Sequence, residues 1–217
     1  DVTVMAISSL DEKAASFSCS HDFLNYMENM VGQTMKYYTS YLPNDPTREW
    51  KAWTDDILNH FWFASYQFKD AQKMYERWQY DLLGDQRADG NVPNCSPGYN
   101  FDGHYNSPWW GGMVIWLPWK LHQYFGDETM LRVSYPSMKR YIDYLTSVSD
   151  NGLQDWGLLD WLPIEETPRP MINTPAYYLY AKIVSGTAEM MGKQEDVKKY
   201  ADLAENIRKT FNDKFLD

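Results

Sequence analysis

Residues 112–147 read GMVIWLPWKLHQYFGDETMLRVSYPSMKRYIDYLTS, and this stretch decides the fold. We predict two helices within it, over about Gly112–Phe125 and Glu128–Ser147. Gly126 ends the first helix, and the turn that joins the two is only Gly126 and Asp127. Pro136 is expected to kink or break the second helix. The stretch therefore predicts one helical hairpin.

Five further helices are predicted outside this hairpin, and the only candidate strand is Val2–Ile7 at the N-terminus. Ser20 is expected to cap the first helix, and Gly192 to end the sixth. The five helices cover about Ser20–Lys36, Thr54–Tyr66, Asp70–Leu83, Thr174–Met191 and Glu195 to the end of the chain.

Short turns alternate with three long loops, at about 37–53, 85–111 and 148–173. Loops of this length are uncommon in compact domains unless they serve a site. If the short turns gather at one end of a helical array, the long loops form one functional face at the other. These loops carry six of the ten Trp residues, namely Trp50, Trp53, Trp109, Trp110, Trp156 and Trp161.

Helical hairpins with long loops at one end predict an all-α fold of the α/α toroid type. Six hairpins close such a ring, so seven helices make about half of an (α/α)6 toroid, with a smaller bundle as the alternative. The missing initiator Met favours a chain excised from a longer protein. We expect residues 18–217 to form this partial domain and residues 1–17 to be a linker or a strand from a preceding domain.

The composition excludes several classes of function. The 217 residues carry a formal net charge of −10, which argues against nucleic-acid and anionic-membrane partners because both need a basic surface. No apolar run approaches the roughly 18 residues of a membrane span, and no signal peptide is visible. Cys19 and Cys95 lack metal-ligand spacing and are expected to be unpaired thiols. No metal or cofactor is indicated.

Aromatic residues make up 17% of the chain, which is more Trp and Tyr than a core requires. Flat indole rings stack on the apolar face of a sugar, while polar groups at the rim bind its hydroxyls. The combination of acidity and Trp therefore favours a carbohydrate site. A large helical core with bulky side chains is the alternative, and it suffices for Trp116 and Trp119.

The end of the first long loop gathers carboxylates around aromatic rings. Glycoside hydrolysis needs two carboxyl groups, one to protonate the leaving oxygen and one to activate water or attack the sugar. Burial against Trp and a neighbouring carboxylate would raise the pKa of the acid. A solvated acidic loop with a local ion pair is the alternative. The carboxylates are Asp45, Glu49, Asp55 and Asp56, and they surround Arg48, Trp50 and Trp53.

From about Ser18 to Asp217, the chain resembles the catalytic domain of bacterial α-L-rhamnosidases, inverting glycosidases of the six-hairpin type. The most specific string is Arg48-Glu49, then Trp53-Thr54, then Asp56. Other matching stretches follow in the same order: Ser18-Cys-Ser20 with Leu24-Asn25, Gln86 to Pro93, Trp110-Gly111 with Pro118-Trp119, Tyr135 to Lys139, Asp160-Trp161, and Lys199 to Arg208.

The resemblance implies a role for each matching residue. Glu49 corresponds to the general acid. Sugar contacts are implied for Asp45, Arg48, Trp53 and Asp56 of the same loop, and for Trp110, Asp160 and Trp161 of the two later loops. The implied partner is a rhamnose-containing glycan or glycoside. Such a substrate suits a periplasmic or extracellular parent protein, although no segment of the sequence decides the compartment.

The sequence also departs from the resembling motifs. Either Asn44 or Asp45 stands at a position that is usually Asp. Ala52 and Asp55 replace usual glycines, and Gly112 replaces a usual Asp.

The family's general base belongs to the second half of the toroid, so we expect negligible hydrolysis from these 217 residues alone. A non-catalytic glycan-binding relative and a glycosidase for another sugar remain as alternative hypotheses.

Overall fold

The computed structural model describes residues 3, 8–39, 51–98, 107–160 and 162–216. Within these ranges the secondary structure is helical, with only isolated β-bridges besides. The helices are α1 Asp22–Tyr38, α2 Ile57–Gln67, α3 Ala71–Asp85, α4 Pro108–Gly111, α5 Met113–Phe125, α6 Glu128–Ser147, α7 Arg169–Met190 and α8 Gln194–Phe215.

The predicted helices are confirmed, with changes at their ends. α6 has the predicted bounds and continues through Pro136, so the expected break there is wrong. α1 begins at Asp22 after a His21 that makes no capping bond, which leaves Ser20 outside the helix. One unpredicted turn, α4, precedes α5, and α7 starts five residues earlier than predicted. The candidate strand Val2–Ile7 lies almost wholly outside the described residues.

Two residues form the turn of the α5–α6 hairpin: one ends α5 and the other caps α6. Gly126 has a φ of +70°, a left-handed conformation that glycine adopts without strain, and it ends α5. The Asp127 carboxylate then accepts hydrogen bonds from the backbone N–H groups of Thr129 at 2.8 Å and Met130 at 3.2 Å. The backbone groups at the end of α5 and the start of α6 are thus bonded within the turn, as a tight hairpin requires.

Helix α5 is the centre of the core, because α3, α6 and α7 all pack against it. Pro118 inside α5 has no N–H, so the carbonyl of Val114 lacks its helical donor. The buried side chain of Gln79 from α3 donates to that carbonyl at 3.2 Å and to the Ser134 hydroxyl of α6 at 3.0 Å. The carbonyl left free by Pro118 is therefore where three helices are joined.

The N-terminal segment before α1 also contacts the helices. Leu10 is fully buried in the core, and the Ala14 N–H donates to the Gln67 carbonyl at the end of α2. The predicted domain boundary at residue 17 stays a prediction. Cys19 and Cys95 are not joined by a disulfide. None of the helices in the described ranges is long and apolar enough to cross a membrane.

A buried histidine connects α2 with α3 and the end of α1. The Thr39 hydroxyl donates to the Met35 carbonyl, so it accepts from His60 Nε2 at 3.3 Å. His60 Nδ1 then accepts from the Tyr75 hydroxyl at 2.5 Å. Both nitrogens of the neutral imidazole thus have partners, and burial lowers the pKa of His60 to about 4.

We predict that His60 makes the fold acid-sensitive. A pKa below the ordinary 6.5 means that its contribution is complete above pH 6.5 and declines as pH falls towards 4. By pH 4.5 the loss should reach about 2 to 3 kcal/mol. Denaturant unfolding at pH 7 and 4.5 measures it, and the non-titrating variant His60→Gln should lose less stability over that interval. Equal losses in both proteins would contradict the prediction.

Candidate functional site

The end of the first long loop pairs with the second loop in a short extended ladder. The Thr54 N–H donates to the Asn94 carbonyl at 2.9 Å, and the Ser96 N–H donates to the Ala52 carbonyl at 3.0 Å. Trp53 lies opposite Cys95 between these two bonds. The backbone position of Trp53 is therefore set by a partner about forty residues away.

Thr54 extends this ladder to α4. Its side chain is fully buried, and its hydroxyl donates to the Trp110 carbonyl at 2.7 Å, with the Asn94 carbonyl a second acceptor at 3.1 Å. One hydroxyl thus joins the first loop to the turn that carries Trp110. The resemblance includes Thr54 in its most specific string, but the sequence did not indicate this joining role.

Two buried tyrosines hold α4 from the core side. The Tyr180 hydroxyl of α7 donates to the Trp109 carbonyl at 3.1 Å, and the Tyr141 hydroxyl of α6 donates towards the Pro108 carbonyl at 3.3 Å. The ring of Tyr180 occupies the space that a side chain at residue 112 would need. Packing against Tyr180 therefore requires a glycine at position 112, and the usual Asp would not fit there.

The third loop is fastened to the same turn. The Leu158 N–H donates to the Ser107 hydroxyl oxygen at 2.9 Å. At the start of α7, the Asn173 amide donates to the Trp156 carbonyl at 2.7 Å, and the Ile172 carbonyl accepts from the Trp109 indole at 2.9 Å. All three long loops therefore meet at α4.

The structure describes four of the predicted site residues. Trp53 and Trp110 are half-buried and are joined through Thr54, whereas Asp56 is exposed at the start of α2 and Asp160 is exposed in the third loop. The other four, Asp45, Arg48, Glu49 and Trp161, lie outside the described residues, so their placement stays a prediction.

Asp55 differs from the adjacent carboxylate Asp56 in its burial. Burial, and then the charge of Asp56, raise the pKa of Asp55 to about 6. Its Oδ1 is buried and has no hydrogen-bond partner among the described residues. Two adjacent Asp residues look alike in a sequence, and nothing in the pattern showed which would turn inward.

A groove of about 560 Å³ opens near the third loop. Asp155 and Leu159 line it from that loop, Arg169 from the start of α7, and Phe215 from the end of α8. None of these four residues is among the eight predicted site residues. No group of three or more His, Cys, Asp or Glu residues that could hold a metal ion occurs in the described ranges.

The region where the three long loops meet at α4 is called the rim below. Helical hairpins that share such a rim define the class as an α/α-toroid type of glycosidase domain. Residues 12–217 match the family described as the bacterial alpha-L-rhamnosidase 6 hairpin glycosidase domain, and the chain belongs to this family.

Two related sequences illustrate the relationship. An alpha-L-rhamnosidase of Formosa agariphila is 27% identical over 224 residues, covering 98% of this chain and 24% of that protein. One from Streptomyces avermitilis is 31% identical over 179 residues, covering 81% of this chain and 17% of that protein. The chain thus spans about a quarter or less of the length of these relatives.

Solved structures agree with the fold. The Streptomyces avermitilis alpha-L-rhamnosidase complexed with L-rhamnose has a TM-score of 0.83 at 30% identity, over 93% of this chain and 20% of that one. The alpha-L-rhamnosidase from Dictyoglumus thermophilum has a TM-score of 0.84 at 26% identity, over 95% of this chain and 24% of that one. The all-α, six-hairpin interpretation of the sequence is confirmed.

We predict that Gly112→Ala destabilises the protein by about 1 to 3 kcal/mol. The new methyl group overlaps the ring of Tyr180, whose hydroxyl is bonded to the Trp109 carbonyl. Gly186→Ala in α7 is the matched control, since its methyl group would meet Trp119 at an ordinary 3.6 Å and favour the helix. Denaturant unfolding compares the two. Equal stabilities of the two variants would show that the space beside Tyr180 is not filled as described.

We predict that Asp55→Asn stabilises the protein at pH 7. A carboxyl whose pKa is raised to about 6 binds protons more tightly when folded, so its ionised form opposes folding above that pH. The gain should be about 1 to 3 kcal/mol at pH 7 and fall below about 1 kcal/mol at pH 4. Asp202→Asn on the exposed face of α8 serves as control. A loss of stability at pH 7 would contradict the prediction.

Proposed function

We propose that the protein is a glycoside hydrolase that removes terminal α-L-rhamnosyl groups with inversion of configuration. Membership of the six-hairpin family and two relatives named alpha-L-rhamnosidases support the reaction class. The single observation that carries the proposal is the Thr54–Trp110 bond. It joins the loop of the acid motif to the loop of an aromatic wall, as a sugar pocket at one rim requires.

In this proposal Glu49 is the general acid and protonates the glycosidic oxygen as the bond to the sugar breaks. A second carboxylate activates water on the opposite face of the sugar, and in inverting enzymes the two carboxyl groups stand about 6.5 to 9.5 Å apart. We assign that base to the second half of the toroid, outside these 217 residues, as the resemblance implies.

The remaining predicted residues bind the substrate. Trp53, Trp110 and Trp161 provide flat apolar walls for the sugar ring, and their rims leave room for polar contacts. Asp45, Arg48, Asp56 and Asp160 provide hydrogen-bonding groups for the hydroxyls. The exposed positions of Asp56 and Asp160 are consistent with groups that act on a ligand rather than within the core.

A second candidate is a glycan-binding relative without catalysis, and one observation favours it. Gly112 stands where the resembling motif usually has a carboxylate, and Tyr180 leaves no room for one. A site that has lost a polar group of its motif could retain sugar binding and lose turnover, or accept another sugar.

We predict that Glu49→Gln, made in the complete gene product, lowers kcat on an alkyl α-L-rhamnoside by at least about a hundredfold, a usual effect of losing a general acid or base. The loss should be smaller on a 4-nitrophenyl α-L-rhamnoside, because that leaving group needs little protonation. Glu189→Gln, near the C-terminal end of α7, should change neither rate.

Equal losses of Glu49→Gln on the two substrates would remove Glu49 from the acid role. Binding of L-rhamnose without turnover by the unaltered protein would favour the glycan-binding alternative. Turnover of a different aryl glycoside alone would show that the site takes another sugar.

A further inference from the structure

The unexplained feature of the rim is the Asp55 carboxyl. It lies two residues before α2, next to Asp56, and is half-buried. The resembling motif usually has glycine here, so the family assigns Asp55 no role. Its buried Oδ1 has no hydrogen-bond partner among the described residues. A buried polar atom without a partner costs free energy, so no contact among the described residues accounts for this carboxyl.

The neighbouring hydroxyl groups are already used by backbone carbonyls. Thr54 donates to the Trp110 carbonyl at 2.7 Å. Tyr180 lies near enough for the charge of Asp55 to raise the pKa of its phenol, yet its hydroxyl donates to the Trp109 carbonyl at 3.1 Å. These two hydroxyls are therefore turned towards α4 and do not serve the carboxyl.

In the described part of the chain, no ion pair compensates the carboxyl either. The described ion pairs all lie elsewhere, and the neighbouring charge of Asp56 has the same sign. A neutral donor remains as the natural partner, since sugar hydroxyls can donate to a carboxylate without bringing a charge. The backbones of Trp53 and Trp110 are joined through Thr54, and in the proposed site their rings would hold the apolar face of that sugar.

We propose that the Asp55 carboxylate accepts a hydrogen bond from a hydroxyl group of the bound sugar, and so helps to decide which sugar the site holds. This inference deepens the proposed function and rests on the rim being its sugar site. It assigns a specificity-determining residue that the family motif does not contain.

The proposal has a consequence for pH. A hydroxyl donates to the ionised carboxylate, so binding should be tighter above pH 6 than below it and should release a proton near that pH. Asp56 beside it and Tyr180 from α7 are the titratable groups that act on Asp55. Burial holds the pKa of Tyr180 well above its ordinary value, so the phenol stays neutral throughout.

Titration calorimetry of the complete gene product with free L-rhamnose, L-fucose, D-mannose and D-galactose tests the proposal at pH 5 and pH 7.5. Free monosaccharides bind without turnover, so the readout is affinity alone. We expect the preferred sugar to bind several-fold more tightly at pH 7.5. Asp55→Asn and Asp55→Ala should weaken its binding about ten- to a hundredfold at pH 7.5 and abolish the pH difference. The control variant Asp202→Asn should retain both the affinity at pH 7.5 and the difference between the two pH values.

Each result decides the proposal. Unchanged affinity and pH dependence in both Asp55 variants would overturn it while leaving the proposed function intact. Failure of the variants to fold would also overturn it, because the carboxyl would then serve the fold. Asp55-dependent binding of a sugar other than L-rhamnose would support it and overturn the rhamnoside assignment. Binding of none of the four sugars by the unaltered protein would overturn both.

Discussion

Three buried hydroxyl groups fix the short helix α4, and the shape of the rim depends on them. Thr54, Tyr141 and Tyr180 each donate to a backbone carbonyl of the turn that leads into α5. Each such bond adds about 0.5 to 1.5 kcal/mol net and fixes the position of a carbonyl in the turn. The Thr54 bond joins the first loop to this turn and the Leu158–Ser107 bond joins the third, so the three long loops meet at one place although they are far apart in sequence.

The helices under the rim are arranged so that α4 has a rigid support. α5 is surrounded by α3, α6 and α7, and the backbone group released by Pro118 is bound by Gln79. The two tyrosines that hold α4 project from α6 and α7, the helices that pack against α5. A loop site built on such a base keeps its geometry, while the loop residues themselves remain available for a ligand.

At Asp55, in contrast to the residues that hold α4, the proposed function is served at the expense of stability. An ionised, half-buried carboxyl beside a second Asp opposes folding at neutral pH, and the nearest hydroxyls are directed elsewhere. Proteins retain such groups where a ligand uses them, and perturbed pKa values concentrate at functional sites for that reason. His60 is different, because both nitrogens of its buried neutral ring have partners inside the fold.

The sequence by itself determined the helices, the α5–α6 hairpin with its Gly126 turn, and the family, because periodicity, caps and motif strings are local features. It predicted the Trp-bearing loops as one face, but not Thr54 as their joint, the extra turn α4, or the continuity of α6 through Pro136. Tertiary structure alone decided that Tyr180 fills the space at Gly112 and that Asp55, rather than Asp56, turns inward. Burial and hydrogen bonding between distant segments decide these points, and no local pattern in the chain records them.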